Sequence, residues 1–301
     1  MDFAQALLSC APGLKLQKNV PLAPYTTMRV GGPADFFAEV SSPAELAAVC
    51  ACAAETATPV LVIGNGSNLL VKDGGFEGVA VHMGELFSKI SVEGERITAQ
   101  AGALLSSVAR RAMEASLTGL EFASGIPGSV GGATCMNAGA YGGELSQVIE
   151  SVDVLENGKM ITVSLADMRF GYRESRLMET GGIALNTVFR LALGDQDAIL
   201  SRMNELNARR REKQPLSYPS CGSFFKRPEG YYAGALIEGA GLKGFHVGGA
   251  QVSQKHAGFI VNAGGATAKD ILELVKYVQN KVFETSGVHL EPEARIVGRD
   301  Q

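Results

Sequence analysis

Seven glycines fall within nineteen residues, 125–143. The run reads Ser124-Gly125-Ile126-Pro127-Gly128-Ser129-Val130-Gly131-Gly132-Ala133, then Asn137-Ala138-Gly139-Ala140-Tyr141-Gly142-Gly143. Each glycine costs conformational entropy on folding, so this density serves something other than ordinary packing. The segment is too apolar for a disordered linker, and long loops without secondary structure are usually functional. A backbone wrapped against a large flat ligand carrying a diphosphate would account for it. Gly-x-Ser-x-Gly, the strained turn that presents a hydrolase nucleophile, is nearly matched at Ser129, but Pro127 stands where its first glycine belongs.

A second glycine loop, Gly64-Asn65-Gly66-Ser67-Asn68, directly follows the apolar run 60–63. Glycines let backbone N–H groups approach a phosphate closely, and Ser and Asn add donors. The dinucleotide fingerprint G-x-G-x-x-G fails at Leu69, and no Lys-Ser/Thr follows to make a P-loop, which excludes a kinase of that type. Taken alone, this loop also suits a tight turn.

Apolar residues make up 46% of the 301 and charged ones 19%, with a net charge of −4, so the chain is neither disordered nor broadly basic enough to hold nucleic acid. No apolar run reaches the roughly 18 residues of a membrane helix. Residues 1–12 lack the basic start of a signal peptide. Five cysteines in no framework spacing read as reduced thiols in a cytoplasmic protein. Without HExxH or CxxC, no metal is expected.

The periodicity predicts a mixed α+β chain in two lobes. Strands are expected over 36–40, 60–63, 78–83, 183–193 and 289–297, with hairpins over 90–101 and 152–165, the latter turning on Asn157-Gly158. Helices are expected from a Ser42/Glu45 capping box to about residue 56, over 104–115, from about 195 to 211, and from Thr267 to Gly287. Domains are expected at 1–26 (an N-terminal arm), 27–194 and 195–301, the last holding another glycine-rich stretch, 222–249.

Three polar groups complete the reading. Gly171-Tyr172-Arg173 sets an arginine after a turn, Gly222-Ser223-Phe224-Phe225-Lys226 sets a serine on a glycine hinge, and Glu293 and Arg295 would share one face of the last strand. Singly, each also suits a surface ion pair, a turn or a solvated face.

Together these motifs resemble the UDP-N-acetylenolpyruvoylglucosamine reductases. The likeness runs in order from Thr26-Thr27-Met28-Arg29-Val30-Gly31-Gly32 through Gly-Asn-Gly-Ser-Asn, Gly-Ile-Pro-Gly-Ser-Val-Gly-Gly, Gly-Tyr-Arg and Gly-Ser-Phe-Phe-Lys to Glu-Pro-Glu-Ala-Arg. The length resembles the shorter, type II subclass. The resemblance implies a two-lobed FAD-binding domain of the vanillyl-alcohol-oxidase (PCMH) type, a C-terminal α+β substrate domain, non-covalent FAD and NADPH as hydride donor. FAD would be held by Gly64, Asn65, Gly66, Ser67, Asn68, Ser124, Gly125, Ile126, Pro127, Gly128, Val130, Gly131, Gly132, Ala133, Asn137, Gly139 and Ala140. Arg173, Ser223 and Glu293 would be catalytic, with Ser223 the proton donor. Tyr141, Lys213, Arg227, His256 and Arg295 would bind the small-molecule UDP sugar. Neither nucleic acid, membrane nor an obligate protein partner is implied. The competing readings are another flavin oxidoreductase of the same fold and a nucleotide-sugar binding module without redox chemistry.

Overall fold

The computed structural model describes residues 3–300, so the outermost ends of the first and last expected domains, residues 1–2 and 301, lie outside it. The chain divides into two compact units, each gathered from separated stretches. Unit 1 takes residues up to Gln17, Phe36–Asn65 and Gly78–Arg209, and unit 2 takes Lys18–Asp35, Gly66–Glu77 and everything from Arg210. The expected linear division at 26 and 194 differs from this one. Residues 18–35 and 66–77 group with the C-terminal part because their apolar side chains Met28, Val30 and Leu70 lie in the core of unit 2.

Unit 1 is built on a five-stranded antiparallel sheet in the order Lys159–Ser164, Ile149–Glu156, Ile183–Arg190, Arg96–Gln100, Ile90–Glu93. Both expected hairpins are present. Asn157 and Gly158 have φ of 50° and 73°, the two positive values a type I′ turn demands. Beside the sheet, Val60–Ile63 pairs in parallel with Phe76–His82, Val60 opposite Val79 and Ile63 opposite His82. The helix Pro43–Glu55 starts where Ser42 accepts the Glu45 N–H (3.2 Å). Its expected capping box is staggered by one residue, since the Glu45 carboxylate accepts from the N–H of Ser41 (2.6 Å) instead. Within the expected N-terminal arm, the helix Phe3–Cys10 buries Phe3 and Leu7 in the unit 1 core.

Unit 2 holds a four-stranded antiparallel sheet, Ser220–Ser223, Phe259–Asn262, Ala250–Val252, His246–Val247. Across it packs the helix Ala268–Ser286, which buries Ile271, Leu274, Val278 and Val282 at helical spacing. Thr267 and Asp270 form its capping box, and Gly287 ends it at φ 71°. The last strand is shorter than expected, Arg295–Val297, and lies parallel to Leu69–Val71. No described helix is long and apolar enough to cross a membrane.

Candidate active site

In unit 1 the two glycine loops meet. Gly64 lies so close to Ser129 that a Cβ would collide with the serine hydroxyl, and the Asn65 amide donates to the Pro127 carbonyl. The run 125–143 is also less irregular than its composition suggests. Val130–Cys135 is a short helix, and Gly139–Ala140 pairs with Gly143–Glu144. Tertiary bonds impose that helix: Val130 and Gly131 donate to the carbonyls of Ala103 and Ala101 (both 2.8 Å), and Leu105 donates to Gly128 (2.9 Å). Gly131 is glycine because a Cβ would sit 2.7 Å from that of Ala101. At Gly132 a Cβ would meet only the Ser129 hydroxyl, at 3.6 Å, so no packing explains it. Among the described residues, the backbone N–H groups of Gly64 and Asn65 have no protein acceptor.

A cavity of about 410 Å³ borders Gly64 and Asn65 and is lined further by His82, Gly84, Gly102, Ala103, Leu104 and Ser107. Those six escaped the sequence reading. The available signal was a lone glycine, Gly102, between the strand Arg96–Gln100 and the helix Leu105–Glu114.

Arg173 sits on a turn closed by mutual backbone bonds between Gly171 and Glu174 (3.1 and 3.4 Å). Its φ of 59° is left-handed, uncommon for a bulky residue and a strain that surrounding contacts must hold. Two such contacts tie the turn to the glycine run. Asn137 Nδ2 donates to the Gly171 carbonyl (3.0 Å), and Ser175 Oγ donates to that of Cys135 (2.7 Å). Asn137 is 2% exposed, and its Oδ1 accepts from the Ser146 N–H (2.9 Å), so its side chain is committed to the protein. Arg176, close by, forms a bidentate pair with Glu156. Tyr141 (φ 55°) carries the Arg209 guanidinium 5.1 Å from its ring centre. Ser124 Oγ donates to the Glu121 carbonyl and accepts from Asn207 Nδ2. Gly125, Ile126 and Ala133 lie within the same run, with Ala133 donating to the Ser129 carbonyl.

In unit 2, Gly66 (φ 58°) accepts from the Thr27 N–H and lies so near the Tyr25 carbonyl that a Cβ would clash; Ser67 follows it. Asn68 is tied to the expected catalytic carboxylate: its Nδ2 donates to the Glu293 carbonyl (3.1 Å), and its own carbonyl accepts from the Arg295 N–H. Ser223 ends the strand Ser220–Ser223, exposed, one residue past Gly222 at φ 82°. Next along the chain, Phe224 is fully buried and accepts the Glu293 N–H (2.8 Å), so Ser223 and Glu293 flank one anchored phenylalanine. Burial pushes the Cys221 thiol up to about 12, with the Glu293 charge adding to it, which leaves that cysteine inert. Glu293 precedes the short last strand, so the expected shared face with Arg295 does not follow from strand geometry. His256 Nδ1 accepts from the Gly258 N–H (3.1 Å), which leaves its proton on Nε2; burial lowers its pKa and keeps it neutral. Lys213 closes the helix Gln196–Lys213, exposed, and Arg227 and Arg295 are exposed as well.

A sequence model described as the UDP-N-acetylenolpyruvoylglucosamine reductase C-terminal domain matches residues 214–297, and one described as an FAD binding domain matches 34–164. The chain is 50% identical over 301 residues to the UDP-N-acetylenolpyruvoylglucosamine reductase of Clostridium novyi (strain NT), covering 100% of this chain and 98% of that one. It is similar to the crystal structure of the reductase of that name from Thermus caldophilus, at TM-score 0.82 and 39% identity, over 94% of this chain and 99% of the other. The BBE-like 1 protein of Physcomitrella patens shares the fold alone, at TM-score 0.50 and 18% identity over 64% of this chain and 45% of its own.

Proposed function

The chain belongs to the UDP-N-acetylenolpyruvoylglucosamine reductases, and on that footing we propose that Arg173, Ser223 and Glu293 carry its chemistry. It is an FAD-dependent reductase that uses NADPH to convert UDP-N-acetylglucosamine enolpyruvate to UDP-N-acetylmuramate, in peptidoglycan precursor synthesis. Its FAD-binding part has the fold of the vanillyl-alcohol-oxidase type. We place the reaction in the cytoplasm.

The observation that carries the cofactor assignment is the junction of the two loops in unit 1. Gly64 and Asn65 offer unclaimed N–H donors, and Gly132 leaves space that protein atoms do not fill. Such a backbone suits a diphosphate. In this reading Gly64, Asn65, Ser67 and the backbone of 124–133 hold FAD, with Gly139 and Ala140 beyond them. Gly66, Asn68 and Asn137 shape the loops through their protein contacts.

When bound, FAD supplies a hydride carrier between NADPH and the β-carbon of the enolpyruvyl group. Hydride arriving there leaves negative charge on the α-carbon and its carboxylate. Arg173 holds that charge with its planar guanidinium fork. Ser223 gives a proton to the α-carbon; a hydroxyl is a weak acid, but the enolate-like anion is a strong enough base to take it. Glu293 is the carboxylate partner in this chemistry, positioned by the Phe224 carbonyl and Asn68. Tyr141, Lys213, Arg227, Arg295 and the Nε2–H of His256 bind the sugar nucleotide.

The visible spectrum of the purified protein tests the whole reading. It should show a flavin band that NADPH bleaches and the enolpyruvyl sugar nucleotide restores. A colourless protein that FAD cannot reconstitute would overturn it.

A further inference from the structure

Arg227 and Tyr232 form an exposed stack in unit 2. The guanidinium carbon lies 4.0 Å from the centre of the Tyr232 ring, and the ring is 63% exposed. Rigid structure brackets the pair. Before it, Phe224 and Phe225 are buried, the Lys226 N–H donates to the Glu291 carbonyl (2.8 Å), and the Lys226 ammonium pairs with the Glu291 carboxylate (2.6 Å). Between them, Tyr231 donates to the Pro228 carbonyl (3.1 Å), and Gly230 turns the chain at φ 74°. After it, the helix Ala233–Gly239 is seated by buried Ile237, and its Ala235 and Leu236 N–H groups donate to the Tyr232 carbonyl. Among the described residues, Arg227 pairs with no carboxylate and donates no hydrogen bond.

A guanidinium held over a ring face by its central carbon can keep N–H donors free for a ligand. Those donors match the oxygens of a phosphate, and the ring removes rotamers the long side chain would otherwise sample. We infer that Tyr232 is a positioning residue: it presents Arg227 to the nucleoside-diphosphate end of the substrate. The inference rests on the reading above, in which Arg227 contacts the sugar nucleotide, and adds the residue that makes this contact effective.

A double-mutant cycle on the holoenzyme tests it. The readouts are KM and kcat for the enolpyruvyl sugar nucleotide, and calorimetric binding of uridine diphosphate alone. Arg227→Ala should raise KM about 10–100-fold, the range for a charged hydrogen-bond contact, with kcat within about threefold. Tyr232→Leu should raise KM about 3–10-fold with kcat equally preserved, and uridine diphosphate binding should weaken in parallel. Tyr232→Phe, which keeps the ring, should remain near the parent. The double variant should be no worse than Arg227→Ala. Four results overturn the inference alone: a Tyr232→Leu change that adds fully to that of Arg227→Ala, no effect of Tyr232→Leu, a Tyr232→Phe defect as large as that of Leu, or a fall in kcat instead of a rise in KM. If Arg227→Ala itself leaves KM unchanged, both the inference and the substrate role of Arg227 fail, while NADPH bleaching and reoxidation of the parent still decide the reductase reading separately.

Discussion

The glycine runs 125–143 and 222–249 look alike in composition and differ in cause. In the first, three glycines answer proximity. A Cβ at Gly131 would press on Ala101, at Gly139 on the Gly143 carbonyl (2.7 Å), and at Gly143 on the Phe122 ring. In the leading part of the second, three answer backbone direction: Gly222, Gly230 and Gly241 have φ of 82°, 74° and 73°, with nothing within 4 Å of a Cβ. The first three form a wall pressed against their own unit, and the second three are hinges. Each run also carries its proposed catalytic residue differently. The first holds Arg173 indirectly, through Asn137 and Ser175, whereas the second carries Ser223 within itself.

The sharpest test falls on the hinge run. NADPH reduction of the flavin moves a hydride and needs no hydroxyl proton, whereas reduction of the enolpyruvyl group does. Ser223→Ala should therefore bleach with NADPH at nearly the parent rate, while reoxidation by the enolpyruvyl sugar nucleotide slows by about 10²–10⁴-fold. Stopped-flow absorbance at the flavin band reads both steps. An unaffected second step would remove Ser223 from the chemistry. Next come the charged groups. Arg173→Lys and Glu293→Gln should each lower turnover by about 10²-fold or more, because lysine loses the planar fork and glutamine the charge. A lysine variant with near-normal turnover would make Arg173 structural.

The glycines themselves can break the comparison. Gly131→Val should cost about 3 kcal/mol by overpacking against Ala101 and should release FAD with the distorted loop. Loss of colour in that variant therefore does not by itself show that the side chain occupies cofactor space. Gly132→Ala, with open space around its Cβ, is the cleaner probe: it should keep the parent's stability and weaken FAD retention. Gly222→Ala meets no atom and should cost only about 1 kcal/mol for its left-handed backbone. Urea unfolding ranks them, and a Gly222→Ala loss matching that of Gly131→Val would erase the distinction between wall and hinge.

The smallest effect compares the units by acidity. Burial lowers the pKa of His82 in unit 1 and of His256 in unit 2. A folded pKa below the unfolded value of about 6.5 means full stability above that pH, lost as pH falls through the folded value. Thermal unfolding should therefore move to lower temperature between pH 7 and 5, and His256→Gln should flatten part of that slope. An unchanged slope would mean that His256 does not contribute.

Much of this was legible in the sequence because the signals were local. Asn157-Gly158, the Thr267 cap and Gly287 each dictate their own turn or helix end within a few residues. What escaped was nonlocal. The helix Val130–Cys135 has two glycines and poor propensity, and exists because the carbonyls of Ala101 and Ala103 receive its first N–H groups. Nothing near Leu69–Val71 announces that its partner is Arg295–Val297. The proposed site residues stand out where their type is distinctive, as with Arg173 and Ser223. They were hardest to find where an asparagine could serve either ligand or chain: Asn68 and Asn137 both hold other parts of the chain through side-chain hydrogen bonds.

That parallel pairing also sets the order in which the protein can be born. Leu69–Val71 leaves the ribosome early, and at about 5–20 residues per second its partner follows roughly 10–45 s later. Asp73, just beyond it, likewise waits to cap the N–H groups of Ala268 and Lys269 (both 2.8 Å). For that interval three apolar residues lack the strand that covers them, and they become a natural handle for chaperones. Nascent chains stalled before residue 295 should stay protease-sensitive around 66–77, and chains released past it should lose that sensitivity.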